Sequence, residues 1–130
     1  NPTFGVLDLP TRRAFTGHKA NVEYFVLDDG SCPAAEFVDA LSQCDHDKVF
    51  HLFELMGTKG EIRNRERFKK LEGSNGIFEF KSHQIRLLCF YAKSSPRTLI
   101  ITHGVRKKQD KHAKADIERA EAVKKKHLGE

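Results

Sequence analysis

Apolar and polar positions change their spacing several times along the chain. Asn21 to Asp28 (NVEYFVLD) is dense in Val, Tyr, Phe and Leu and stops at Asp28-Asp29-Gly30, which predicts a strand ended by a turn. The period then becomes helical. Pro33 suits a first helical turn, where its missing N–H costs nothing, and Phe37, Val38, Leu41 and Cys44 form an apolar stripe behind it. Asp45-His46-Asp47 is placed to cap a second helix. In that helix Val49, Leu52, Phe53 and Met56 recur at i, i+3, i+4 and i+7 before Gly57 ends it.

Beyond this pair the pattern returns to short β-rich runs. Phe68 to Leu71 is a strand candidate, followed by the turn Glu72-Gly73-Ser74-Asn75-Gly76. Ile77 to Lys81 sets Phe78 and Phe80 on one face and Glu79 and Lys81 on the other. Ser82-His83-Gln84 turns into Ile85–Tyr91, and Ser94-Ser95-Pro96 turns into Thr98–His103. Short spacers between such runs predict an antiparallel meander. The tail, 111–127, reads as a helix with a thin seam of Ala113, Ile117, Ala120 and Val123. Residues 1–20 contain Pro2, Pro10 and Gly17 with little periodicity and read as an N-terminal arm. Residues 21–130 read as a single domain. The expected class is α+β in the order β-α-α-β-β-β-β-α. Helices lie on one face of a mainly antiparallel, twisted sheet: two N-terminal helices, plus a C-terminal one.

Composition narrows the class of molecule. A length of 130 residues suits one core, because two would each bury too little. With 38% hydrophobic and 32% charged residues the chain is neither a disordered acidic polymer nor a membrane protein. Its longest apolar run, Leu87 to Ala92, is strand-sized and far short of the roughly 20 residues that span a bilayer. No signal peptide is visible, and Asn1 is not a natural start. Cys32, Cys44 and Cys89 are odd in number and scattered, with no C-x-x-C pair. They read as reduced, buried thiols of a cytoplasmic protein.

Charge is distributed unevenly. Residues 1–58 carry 4 basic and 9 acidic side chains, whereas residues 59–130 carry 19 basic and 9 acidic ones. Such asymmetry suggests a polyanionic partner for the second half, although a lysine-rich solvated surface has the same composition. Order among the cations favours the partner. If Ile85, Leu87, Cys89 and Tyr91 face the helices, Arg86 lies on the other face with Leu88 and Phe90, and Lys81 on the preceding strand reaches the same side. After the last strand comes His103-Gly104-Val105-Arg106-Lys107-Lys108-Gln109-Asp110-Lys111, a histidine, a glycine and three consecutive cations. Arg grips phosphate bidentately and Lys adds a point charge. Two plainer readings stand beside this one: a solvated loop at Arg106-Lys107-Lys108, and a pair between Arg86 and Glu79 across the hairpin. His46 and His51 are five apart and lack an H-E-x-x-H context, so no metal is expected there.

Three segments together resemble the phage-derived, HigB-like branch of the RelE/ParE toxin superfamily. Gly76-Ile77-Phe78-Glu79-Phe80-Lys81 is similar to an apolar-aromatic-Glu-apolar-Arg element, and Ile85-Arg86-Leu87-Leu88-Cys89-Phe90-Tyr91 to an aromatic-Arg-aliphatic strand. The run from His103 to Lys111 is similar to a His-Gly-Phe-x-Lys-Lys-x-x-Lys turn before an Ile-Glu-x-Ala helix, here Ile117-Glu118-Arg119-Ala120. Upstream, Phe25 to Pro33 followed by a helical pair fits the same branch, so the resemblance covers about residues 22–127. The chain departs from it at Val105, where the branch has an aromatic, at His112, where it often has proline, and at Lys81, where it commonly has Arg.

The resemblance implies a RelE/ParE-like fold and the toxin of a type II toxin–antitoxin system. It also implies a ribosome-dependent messenger-RNA endoribonuclease that needs no metal or other cofactor. In that chemistry the RNA 2′-hydroxyl attacks the adjacent phosphate in line, so the enzyme aligns atoms, offsets phosphate charge and manages two protons. Arg86 would clamp the phosphate, and Lys107 and Lys108 would hold flanking phosphates or the pentacovalent state. His103 would act as acid or base, or else only cap its strand. Lys81, Arg106 and Lys111 would bind RNA. Implied partners are messenger RNA, the ribosome and a cognate antitoxin, commonly a helix-turn-helix DNA-binding protein; no membrane is involved. The alternative is a non-catalytic phage-derived relative or ParE-like binder, acting through protein or nucleic-acid contacts.

Overall fold

A computed structural model describes residues 11–93, 97–107 and 114–128. The elements run β1 (Thr11–Thr16), β2 (Asn21–Phe25), α1 (Pro33–Asp39), α2 (Gln43–Lys59), β3 (Phe68–Lys70), β4 (Phe78–Ser82), β5 (Ile85–Tyr91), β6 (Thr98–Arg106) and α3 (Lys114–Leu128). The six strands form one mixed sheet in the order β1-β2-β6-β5-β4-β3. Neighbours pair antiparallel except β2 and β6, which run parallel from Asn21↔Thr98 to Tyr24↔Ile101.

Local signals explain most of the elements. Pro33 opens α1, and the Ser42 hydroxyl caps α2 by accepting from the Asp45 N–H at 3.2 Å. The cap therefore precedes the Asp45-His46-Asp47 cluster, and Cys44 belongs to the first turn of α2 rather than to the stripe of α1. That position leaves Cys44 exposed, while Cys32 and Cys89 are buried. The predicted stop at Gly57 also moves: α2 continues to Lys59 and ends on left-handed Gly60, whose N–H donates to the Met56 carbonyl. Gly57 lies within the helix, and the turn after β1 packs directly on it. The Lys19 N–H donates to the Gly57 carbonyl at 2.8 Å.

Two expectations about layers change. Residues 11–16, read as part of an arm, form β1, a hairpin partner of β2 with an extra residue, Ala14, between the Arg13↔Glu23 and Phe15↔Val22 pairs. And the helices do not share one face. α1 and α2 cover Val22, Tyr24, Phe80, Ile85, Leu87, Cys89, Leu99 and Ile101, with Phe53 edge-on to both Tyr24 and Phe80. α3 lies on the opposite face, where Ala120, Ile117 and Val123 meet Leu88, Phe90, Ile100, Phe25 and Ile77. The reason lies in β5: Ile85, Leu87 and Cys89 face one way while Leu88 and Phe90 face the other, so both sides need cover. Phe78, Phe80 and Tyr91 take the core positions expected of them, with Phe78 and Tyr91 partly buried and edge-to-face at 5.1 Å.

Burial in this core has a consequence at high pH. Desolvation pushes the Cys89 thiol well above its ordinary 9.0, with the Glu79 charge adding to the effect, and desolvation also raises the Tyr24 phenol above 10.0. Above about pH 9 the unfolded chain therefore releases a thiol proton that the folded chain keeps, and stability falls as pH rises, by roughly 1 kcal/mol per unit for each group. Urea midpoints should drop between pH 8 and pH 10. In Cys89→Val the decline should begin later, with the tyrosine; an identical decline would remove Cys89 as its origin.

Candidate functional site

The face under α3 is apolar at one end and polar at the other. Cross-strand register lines up Lys69, Glu79, Leu88 and His103 in one row and Lys81, Arg86 and Val105 in the next. Strand alternation alone does not place His103 there. Leu88 pairs with His103 but Cys89 pairs with Ile101, so Thr102 is the extra residue of a β-bulge. Without the bulge, Thr102 and Gly104 would look toward α3 and His103 into the opposite core. With it, Gly104 faces Phe37 of α1, while His103 and Val105 join Arg86 and Leu88. The Thr102 hydroxyl stands 3.3 Å from the Leu88 carbonyl and 2.9 Å from His103 Nδ1, holding bulge and imidazole together.

Charges in this patch are matched at close range. Glu79, Arg86 and His103 are 0%, 3% and 1% exposed. Arg86 Nε lies 3.9 Å from Glu79 Oε1, and Lys69 Nζ lies 3.7 Å from Glu79 Oε2. The guanidinium also donates to the backbone carbonyls of His83 and Ile85. That fastens the β4–β5 hairpin, where His83 adopts a φ of 54°. The pairing of Arg86 with Glu79 is thus realised. Across the row, Asp116 in the first turn of α3 meets two cations: its Oδ1 is 3.8 Å from His103 Nε2 and its Oδ2 is 3.1 Å from Lys107 Nζ. Lys81 Nζ lies 3.8 Å from Glu66 Oε1.

Of the residues singled out from the sequence, Arg86, His103 and Lys107 therefore gather at one end of the α3 face, while Lys81 shares their register but sends its ammonium toward Glu66. Arg106 does not join them. It is the last residue of β6, one past Val105, and its guanidinium reaches 4.0 Å from Asp45 of α2 on the opposite face. The alternation that turns Val105 toward α3 turns Arg106 away. Lys108 and Lys111 lie outside the described residues. Asp116 is not signalled by the sequence; an acidic residue in a helix's first turn is common for reasons of the helix dipole alone, so its type is uninformative. Among the described residues no group of three or more His, Cys, Asp or Glu side chains is placed to hold a metal ion, and no helix is long and apolar enough to cross a membrane.

Comparison with known proteins identifies a family. No curated protein matches the chain. The family model described as phage derived protein Gp49-like (DUF891) matches residues 36–125, from within α1 to within α3, and so includes Lys81, Arg86, His103, Lys107 and Asp116 while leaving β1 and β2 outside. With well over half its length inside that match, the chain belongs to the Gp49-like phage-derived family, a member of the RelE/ParE-like toxin superfamily.

Proposed function

We infer that this chain is the toxin of a toxin–antitoxin pair and that its target chemistry is metal-independent cleavage of messenger RNA on the ribosome by 2′-hydroxyl attack. One observation carries the reading. The Thr102 bulge brings His103 onto the same sheet end as Lys107 and Arg86, and Asp116 lies against His103 and Lys107 much as a bound phosphate would. A carboxylate and a phosphate compete for the same donors. In this reading Lys107 faces the scissile phosphate, His103 moves the proton and Lys108 and Lys111 hold flanking phosphates. Arg86, turned toward the hairpin carbonyls, fastens the β4–β5 hairpin against which β6 pairs. RNA enters when the first turn of α3 gives way; Lys114 and Ala115 are exposed there, and burial of the helix begins in earnest only at Ala120. The partner is a cognate antitoxin of the helix-turn-helix DNA-binding kind.

A second reading, a relative that acts by protein or nucleic-acid contact without cleavage, draws on the same geometry. Each described cation of the cluster lies within 4.0 Å of a carboxylate. Regulated expression in bacteria separates the two. A nuclease arrests growth and leaves cuts in ribosome-associated messenger RNA. His103→Gln then lowers cleavage by about 10²–10⁴-fold, the usual contribution of a positioned acid or base, in a protein that circular dichroism shows to be folded. Unaffected growth and intact messages establish the binder.

A further inference from the structure

A second cationic feature lies around the sheet edge from the α3 face. An open groove of about 480 Å³ is bounded by α2, by the segment leading into β3, and by the β4–β5 hairpin. α2 contributes Lys48 and His51, the segment before β3 contributes Arg67, and the hairpin contributes Lys81 and His83. We propose that this groove holds backbone phosphates of single-stranded RNA flanking the linkage at the α3 face, a binding subsite that rests on the nuclease reading above.

Three features support RNA as the occupant. First, the Lys48 ammonium is preset: it donates to His83 Nε2 at 3.2 Å, which leaves it two N–H groups for an anion, and His83 is held at the rim by the Arg86 guanidinium on its carbonyl. Second, the opposing carboxylates are exposed to solvent. Asp47 accepts from Gln43 Nε2 at 2.7 Å, and Glu66, whose side chain is 81% exposed, holds Lys81 at only 3.8 Å. A carboxylate this exposed is well screened by water and yields to a better anion. Third, the groove is continuous with the proposed site. Lys81 stands directly opposite Arg86 in the β4–β5 register, yet its ammonium lines the groove. A strand of phosphates can therefore pass from the groove to the α3 face over one lysine. An open trough with cations on three sides suits a chain passing through better than an enclosed small ligand.

The test is salt-dependent binding of a labelled, uncleavable 2′-O-methyl RNA to the full chain, followed by fluorescence anisotropy. Lys48 and Arg67 are exposed, so Lys48→Ala/Arg67→Ala should leave the melting temperature unchanged. It should also flatten the plot of log affinity against log salt by about 1.4, at about 0.7 for each phosphate no longer neutralised. A control of equal charge change, Lys19→Ala/Arg97→Ala at the opposite end of β2 and β6, should leave the slope unaltered. The proposal is overturned by an unchanged slope in the groove variant, by an equal drop in the control, by absence of salt-dependent RNA binding in the wild type, or by poly-glutamate competing as well as RNA. Cleavage on ribosomes is read separately. Cuts with an unchanged slope sink the groove alone, and a flattened slope without cuts sinks the nuclease alone.

Discussion

Arg86→Ala should lower folding stability by about 3–5 kcal/mol, the usual cost of removing one partner from a buried ion pair. Glu79, fully buried, would then face Lys69 at 3.7 Å without the guanidinium beside it. The carbonyls of His83 and Ile85 would lose the same donor. Arg86→Lys should recover part of the loss, because an ammonium restores charge but not the planar fork that serves several acceptors. Glu79→Leu/Arg86→Met should recover more, since neither buried charge then needs a partner. Urea unfolding of the four proteins measures the coupling directly. An Arg86→Ala protein within about 0.5 kcal/mol of wild type, the scatter of ordinary surface changes, would show that the guanidinium has no structural role. The consequence for function is practical: loss of toxicity in Arg86→Ala reports unfolding as readily as chemistry, and Lys107→Ala, at a side chain 19% exposed, is the cleaner probe.

Gly17→Ala should be nearly as damaging, by about 3 kcal/mol or a little more. A Cβ at position 17 would sit 2.3 Å from Gly57 Cα and 2.5 Å from its carbonyl carbon and oxygen, all backbone atoms of α2. The β1–β2 turn would have to lift, stretching the 2.8 Å bond from Lys19 N–H to the Gly57 carbonyl. Gly57→Ala makes the useful contrast. Its Cβ meets the Phe15 ring at 2.6 Å, which can tilt, and Gly17 Cα at a tighter-than-ordinary 3.1 Å. Alanine's better helix propensity offsets about 1 kcal/mol of that strain, so a loss of only about 1 kcal/mol is expected. Thermal melts of the two variants should differ in that order; the reverse order would place the close approach elsewhere.

Much of the architecture is legible along the chain. β5 occupies its expected span, Ile85–Tyr91, with Ile85, Leu87, Cys89 and Tyr91 on the expected side, and the buried stripe of α2 follows from a helical period of apolar residues. Each of these rests on local alternation, which a single chain displays. β1 is not legible, because its burial is intermediate or exposed along its length and Phe15 alone hints at its contact with Gly57. Nor is the second apolar layer, since a thin seam on α3 reads the same whichever face of the sheet receives it.

The sequence by itself determined which residues of α2 and β5 face inward, where α1 begins, and that the second half is rich in cations. Only the tertiary structure decided which cations meet. The Thr102 bulge reverses the parity of β6 and carries His103 to the α3 face, the same parity sends Arg106 to α2, and Asp116 arrives from a separate element. The physical reason is one of range. Side-chain direction within a strand is fixed by the backbone of that strand, whereas a bulge and an ion pair depend on the register and placement of partners distant in the chain.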